Sequence, residues 1–588
     1  MHASSLRATR MTPKVVVAPA ANLLASWRPH KDRADGQEGA VSAAPHPRNE
    51  RVRRSDEMNL RHRRTRSRFE IMLLIPALLG FTGCMVGPNF QRPRATVPAN
   101  WLESGDGRVS TESASYRSWW SAFDDPTLDR LIEQAYRENL SLRQAGVRVL
   151  QARAELGIAV GEIFPQTQQG VGSVQYSRLS DRAVASVASN GSVTYWQSQI
   201  GAQASWELDF WGKIRRGIES ADAGLLSTLA DYDNTLVTLT ADVANAYIAI
   251  RTAEERIRIA RENVETQEES LKIAEARFTY GTGTQLDVEQ ARTALLNTLA
   301  SIPTLETQLR QTRDALSVLL GMPPSELSDL LAGPAGIPAS PRQVIVGIPA
   351  DLLRRRPDLR SAELQAAAQS AQIGVAKADL FPAFTLIGNL VFLSTDLGKF
   401  KLSDMFSWGS RSMQLGPSVQ WNILNYGQIT NDVRARDARF QQLLIAYQNA
   451  VLSAQRDVED NLVAFLRAQD RADLLARSVT SARAAVALAV LQYREGVTDF
   501  TTVLTAQQAL LSQQDSLAST LGTISTSLVG VYRALGGGWE IREGQDLVPP
   551  EIKAEMQRRT NWGQLLAPST YNLPASREPD SAPRRPDW

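Results

Sequence analysis

The chain repeats itself at an offset of 215–217 residues, and within each copy the hydrophobic period changes from two to seven. Few architectures accommodate both facts. Phe164-Pro165 returns as Phe381-Pro382, Trp206 as Trp421, Gly212 as Gly427 and Gly281 as Gly496. Ala291 and the run Ala294-Leu295-Leu296 return as Ala506 and Ala509-Leu510-Leu511. Between the copies lies a linker containing Pro323, Pro324, Pro334, Pro338, Pro341 and Pro349. The reading is therefore a first repeat over residues 84–324 and a second over 325–540. An extended polar tail over 541–588 follows Gly536-Gly537-Gly538-Trp539.

Residues 196–208 alternate, with Trp196, Ile200, Ala202, Ala204, Trp206 and Leu208 on one face and Gln197, Gln199, Gln203, Ser205 and Glu207 on the other. In the second repeat Met413, Leu415, Val419, Trp421 and Ile423 oppose Gln414, Ser418, Gln420 and Asn422. Such alternation predicts strands with one apolar and one polar face. The segments after Pro165 and Pro382 predict partner strands. That makes four strands of about 10–15 residues, the length of a tilted barrel strand in a bilayer. From Lys213 to Phe278 there is no proline, and Leu236, Val243, Ile250, Ile257, Val264, Leu271 and Phe278 recur every seven residues. Val451, Val458, Phe465, Ala472, Val479, Val486 and Tyr493 do the same in the second repeat. Three positions on, the residues are mostly alanine, as in a coiled-coil seam. Each long helix spans about 100 Å. Gly281-Thr282-Gly283-Thr284 and Gly496-Val497-Thr498-Asp499 then break it, and return helices are expected over 286–320 and 501–535. Gly-Thr-Gly-Thr lacks the Gly-Lys-Ser/Thr of a phosphate loop and reads as a hairpin turn.

The N-terminus follows another plan. Residues 1–57 show no amphipathic period and read as a mis-assigned start or an unstructured leader. Residues 58–83 carry Arg61, Arg63, Arg64, Arg66 and Arg68, an apolar run from Ile71 to Phe81, and Thr82-Gly83 before Cys84. This is an export signal, whose apolar run is too short to span a bilayer as a helix; no other transmembrane helix is expected. A cysteine at the cut resembles the bacterial lipoprotein signal, in which the thiol takes a diacylglycerol and the new amino terminus an acyl chain. Phe81 stands where that pattern prefers Leu, and Met85 where an Asp would signal inner-membrane retention. The plainer alternative is an ordinary buried cysteine.

Residue types narrow the chemistry. The four histidines all precede residue 84, and Cys84 is the only cysteine. Beyond it no Ser-His-Asp or Cys-His catalysis and no His/Cys zinc site can be built. No metal site, cofactor or enzymatic activity is expected; carboxylate chemistry stays open by composition, but no paired acids occupy a pocket-forming loop. Residues 1–83 hold 15 Lys+Arg against 7 Asp+Glu, leaving 49 against 55 beyond. That acidic balance removes the electrostatic basis for nucleic-acid binding, so Arg354, Arg355 and Arg356 read as exposed arginines at a helix start. Four strands cannot close a barrel, and an open edge in lipid leaves N–H and C=O groups unpaired. Several copies must combine, their polar faces lining a lumen and their helices packing into a tube.

Cys84-Met85-Val86-Gly87-Pro88-Asn89-Phe90-Gln91-Arg92-Pro93 resembles the mature start of TolC-like outer-membrane efflux lipoproteins of the NodT/OprM type. The segments Leu353–Glu363 and Ile373–Pro382, and Tyr532–Trp539 near the end, resemble that family's second-repeat signature, and the likeness covers about residues 84–540. It implies an α+β membrane protein: a trimeric outer-membrane β-barrel with four strands per chain, continued by a periplasmic α-helical coiled-coil barrel. It also implies a periplasmic adaptor docking at the hairpin turns (Gly281, Gly283, Gly496) and an inner-membrane pump, of the RND type. The chain would be a passive exit duct in the outer membrane, lipid-anchored at Cys84 and extending into the periplasm.

One departure touches the closure that the resemblance implies at the periplasmic end. Where the family pattern supplies leucine, aspartate and arginine, this chain has Thr501, Thr505 and Gln508. Closure is then expected to rest on polar contacts there or on Asp287, Glu289 and Asp499, unless Thr505 merely packs the hairpin. Two other readings stay open: a lipid-anchored coiled-coil adaptor or scaffold, and the outer-membrane duct of a protein-secretion exporter.

Overall fold

The computed structural model describes residues 85–112, 115–180, 194–333, 335–396 and 401–567; the expected leader, signal and Cys84 lie outside them. The first repeat runs β1 (Val109–Ser110), α1 (Pro126–Glu138), α2 (Leu140–Gly161), β2 (Thr167–Arg178), β3 (Thr194–Leu208), α3 (Lys213–Thr279) and α4 (Gln285–Leu319). The second runs β4 (Val344–Ile345), α5 (Pro357–Ala378), β5 (Ala383–Thr395), β6 (Arg411–Gln420), α6 (Gln428–Arg494) and α7 (Phe500–Ala534), with α8 (Pro550–Arg559) beyond it.

The period-two segments form one antiparallel sheet in the order β2-β3-β5-β6. Its central pair, β3 with β5, joins the two repeats, with Gly201 opposite Val391. The alternation is realised in space: Trp196, Ile200, Trp206, Leu386, Leu390, Met413, Leu415 and Val419 all stand exposed. The register puts Trp206 beside Leu386 and Leu390 beside Met413, so the exposed apolar face is continuous across the strands. β6 ends at Gln420, short of the expected Ile423. Beyond it the Ile423 N–H turns back onto the Trp421 carbonyl. Pro417 is accommodated because β6 is an edge strand, where a missing ladder donor is tolerated.

The two long helices are 67 residues each, and the return helices start and stop one residue before the expected limits. All seven large seam positions of α6, from Val451 to Tyr493, are buried. In α3 the seam is buried from Leu236 to Ile257, loosens at Val264 and Leu271, and ends with Phe278 45% exposed. α3 packs along α4, α5 and α7, and α6 along α7 and α5. An 18-residue stretch of α6 is long and apolar enough to cross a membrane, against the expectation of no further such helix; only 17% of that stretch is buried.

Between strands and tips the chain thickens into a core rich in aromatic residues. Trp119 stacks on Tyr532 at 5.4 Å, and Trp101 Nε1 donates to the Gly347 carbonyl at 3.0 Å. β1 and β4 pair in parallel there, again across the repeats. The expected exposed arginines are otherwise disposed. Arg355 lies 4.2 Å over the Tyr116 ring, while Arg356 binds Asp358 at 2.7 Å and the Ala534 carbonyl at 2.9 Å. The side chain of Arg354 lies outside the described residues.

The segment expected to be an extended tail is partly folded. α8 packs with Leu547, Val548 and Met556 buried, and Arg153 Nη1 donates to the Leu565 carbonyl at 3.0 Å. Arg542 reaches the buried Asp233 on α3 through two hydrogen bonds. The alanines and charges after Trp539 carry too weak a period to announce this docking. At the other terminus, residues 85–97 run as a strap from the strand-to-helix corner: Val86 N–H donates to Trp211 O at 3.0 Å, and Arg92 pairs with Glu363 at 2.9 Å.

Candidate functional site: hairpin tips and strand faces

Each long helix ends where a glycine takes a left-handed conformation, Gly281 at φ +72° and Gly496 at φ +75°, which a side chain would strain. Gly283 is closely packed, since a Cβ there would sit 3.0 Å from Arg277 Cβ. Thr284 then caps α4: its hydroxyl accepts from Asp287 N–H, and the Asp287 carboxylate accepts from Thr284 N–H, both at 3.2 Å. Asp499 caps α7, accepting from Thr502 N–H at 3.1 Å. The Gly-Thr-Gly-Thr stretch is thus a helical hairpin turn.

The two turns are stitched together by Arg277, which the sequence reading left unassigned, and by the seam residue Tyr493. Arg277 Nη1 donates to the Tyr493 carbonyl and, at 3.2 Å, to that of Arg494, while Nη2 donates to Thr282 O at 2.9 Å. Its guanidinium lies 4.7 Å from the centre of the Tyr493 ring, within cation–π range. The Tyr493 hydroxyl donates to Asp287 Oδ2 at 3.3 Å, and its ring packs edge-on to Phe500 at 5.3 Å. Burial, and then the nearby Asp287 charge, pushes the Tyr493 hydroxyl up to about 12, so it remains a donor at any physiological pH. Around it Ala274, Val288, Ala489 and Val503 form a small core joining both hairpins. The available signal was a repeat mismatch: Tyr493 occupies the position of Phe278, and only the tyrosine turns inward.

Of the expected closure residues, Thr501, Thr505 and Gln508 share an exposed face of α7, with Thr505 Oγ1 donating to the Thr501 carbonyl at 2.8 Å. The acids are engaged elsewhere: Asp287 and Asp499 as caps, and Glu289 with Arg292 at 3.2 Å and Gln285 at 2.8 Å. Among the described residues no hydrogen bond or ion pair joins Thr505 or Gln508 to these acids. The first described residue, Met85, lies at the opposite end of the helices, where a Cβ on Gly212 would meet its side chain at 2.6 Å. Among the described residues no group of three or more His, Cys, Asp or Glu gathers as a metal site.

A family model described as outer membrane efflux protein matches residues 131–322 and again 348–537, one match in each repeat. Nodulation protein T of Rhizobium leguminosarum bv. trifolii is 31% identical over 461 residues, covering 78% of this chain and 95% of that protein. The pyoverdine export outer membrane protein OpmQ of Pseudomonas putida is 31% identical over 473 residues, covering 80% and 97%. The solved structure of the outer-membrane channel OprN matches with a TM-score of 0.72 at 34% identity, covering 78% of this chain and 100% of that one. Sheet, long helices and duplicated plan together agree with these matches: the chain belongs to the outer membrane efflux protein family.

Proposed function

We propose that three copies of this chain form the exit duct of a tripartite efflux system, in the outer membrane and reaching into the periplasm. The observation that carries the reading is the four-stranded sheet, open at β2 and β6, with one face apolar and exposed and the other polar. In a bilayer such edges must be closed by further copies; three give twelve strands. The poorly buried apolar stretch of α6 supports the same conclusion, since neighbouring helices would cover it. Helices of about 100 Å carry the tips away from the membrane.

In this reading the turns at Gly281, Gly283 and Gly496 meet a periplasmic adaptor, and an RND-type inner-membrane pump delivers the cargo. The relatives' names speak of pyoverdine export and toluene efflux by those proteins; for this chain the pump sets the cargo. Lipid on Cys84 would hold the corner beside Met85 at the bilayer surface. The stripe Thr501, Thr505 and Gln508 lines the periplasmic constriction, uncharged where the family pattern carries an aspartate and an arginine. The reading assigns the duct no catalytic step.

Mass measurement and negative-stain imaging of the protein extracted in detergent from the outer-membrane fraction test the assembly. The expected result is a trimeric tube; a monomer or solid rod in the periplasmic or inner-membrane fraction would favour the adaptor or scaffold. In purified channels, Thr505→Asp should raise cation preference by adding three carboxylates to the constriction. Unchanged conductance and preference would remove this stripe from the closure.

A further inference from the structure

The strand register brings four amide side chains into one row. Gln169 is opposite Gln203, Gln203 opposite Asn389, and Asn389 opposite Gln414. Each strand contributes one, from both repeats. Gln203 Nε2 donates to Gln169 Oε1 at 2.9 Å, and Asn389 Oδ1 is closed off from solvent without a donor. The rows on either side contain no amide: Val171, Gly201, Val391 and Ser412 on one, Thr167, Ser205, Ile387 and Gly416 on the other. The only charged residues in the four strands are Arg178, Glu207 and Arg411, all at strand ends. Of these only Glu207 shares the parity of Gln203 and so the same face.

An amide presents a donor and an acceptor without charge. It matches the hydroxyls, amides and carbonyls of a solute and sets up no barrier to either sign of charge. We propose, resting on the duct reading above, that the row Gln169–Gln203–Asn389–Gln414 is a solute-binding surface of the barrel. It acts as a charge-indifferent band that transiently holds passing solutes through their hydroxyl and amide groups. Barrel strands tilt, so the row climbs roughly 9 Å across four strands about 4.8 Å apart. Three copies make three slanting amide tracks around one lumen. A solute leaving one amide finds the next within a few ångströms.

The test uses the full chain reconstituted in planar bilayers, with maltohexaose, an uncharged polyhydroxylated chain, as the probe. Reversible interruption of the ion current by maltohexaose is expected in the wild type. Gln203→Leu with Asn389→Leu should weaken it about fivefold for each amide removed, the worth of one hydrogen bond. Gln203→Ala serves as a second variant, independent of whether the leucine pair inserts. Ser205→Leu, on the same face one row away, should leave the interruption unchanged. Gln203→Glu should at least about double the cation-to-anion permeability ratio in 0.1 M salt, where a charge acts over about 10 Å. Channels that conduct but give no interruption, or interruption that the amide variants do not weaken, would overturn the proposal and leave the duct standing. Equal weakening by Ser205→Leu would do the same, by assigning the effect to the whole face. Wild-type protein that forms no channel would overturn the duct reading itself.

Discussion

Arg277 does at the tips what no backbone contact does: one guanidinium holds carbonyls from both turns and lies over the tyrosine between them. Arg277→Ala should speed amide exchange at Thr282 and Val497 at least about tenfold, the worth of one charge-assisted hydrogen bond. Arg277→Lys should recover part of the protection, having the charge without the fork. Tyr493→Phe keeps the ring in the core and loses only the bond to Asp287, so its stability cost should be about 1 kcal/mol. A different pairing anchors the far C-terminal segment. Burial, the largest influence, pushes the Asp233 carboxyl up to about 6, while the hydrogen bonds and charge of Arg542 pull it down. Since an unfolded Asp titrates near 3.9, the folded state holds the proton more tightly, and this site's stabilisation should decline as pH rises from about 4 to 6. Arg542→Met alone leaves a buried carboxylate unpaired and should cost about 3–5 kcal/mol, whereas adding Asp233→Leu should restore most of it; thermal unfolding of the wild type and the two variants in detergent measures both. None of these pairings was legible from sequence. Each joins residues far apart in the chain, and a heptad or an alternation says nothing about which polar groups meet across it.

Elements were far more legible, because each rests on a periodicity that the structure uses directly. The large seam residues from Val451 to Val486 are buried at or below 9% exposure, and the return helices fall one residue from the expected positions. Phe465→Ala, in the middle of the α6 seam and fully buried, should therefore cost about 3–5 kcal/mol in thermal or denaturant unfolding. Where periodicity is short or broken, sequence misleads. Trp421 and Ile423 continue the alternation of β6 but lie beyond its last paired residue. Pro303, by contrast, sits inside α4 without ending it, as the helix expected over 286–320 allows, because packing along α3 outweighs the lost hydrogen bond. The apolar side chains Leu390, Met413, Leu415 and Val419 are all exposed, so a charge there should act on insertion rather than on the helical core. Leu415→Lys is expected to cost about 2–4 kcal/mol at mid-bilayer depth and to lower the outer-membrane yield, while Gln414→Lys, on the other face, should not.

For the whole molecule, the two repeats are interwoven rather than merely adjacent: β3 pairs with β5, β1 with β4, and α3 packs on α7. Of these contacts only the β1–β4 pair uses the linker, at Val344–Ile345. Gly336 in that linker is exposed, takes φ +112° and has no atom within 4 Å of where a Cβ would be. Cutting the chain there, or co-expressing residues 1–336 with residues 337–588 placed behind their own copy of the export signal, should leave the assembly intact after extraction; failure of the halves to reassociate would show that covalent continuity matters. The pairing of β3 with β5 also has a numerical consequence for ancestry. Each repeat contributes one two-stranded hairpin, so for the twelve strands of the proposed trimer a single-repeat forerunner would have needed six identical copies. Joining two into one gene halves that number and frees alternate positions around the ring to differ. Phe278 facing solvent where Tyr493 turns inward is such a difference, available to a ring of three unlike pairs and closed to a ring of six equals.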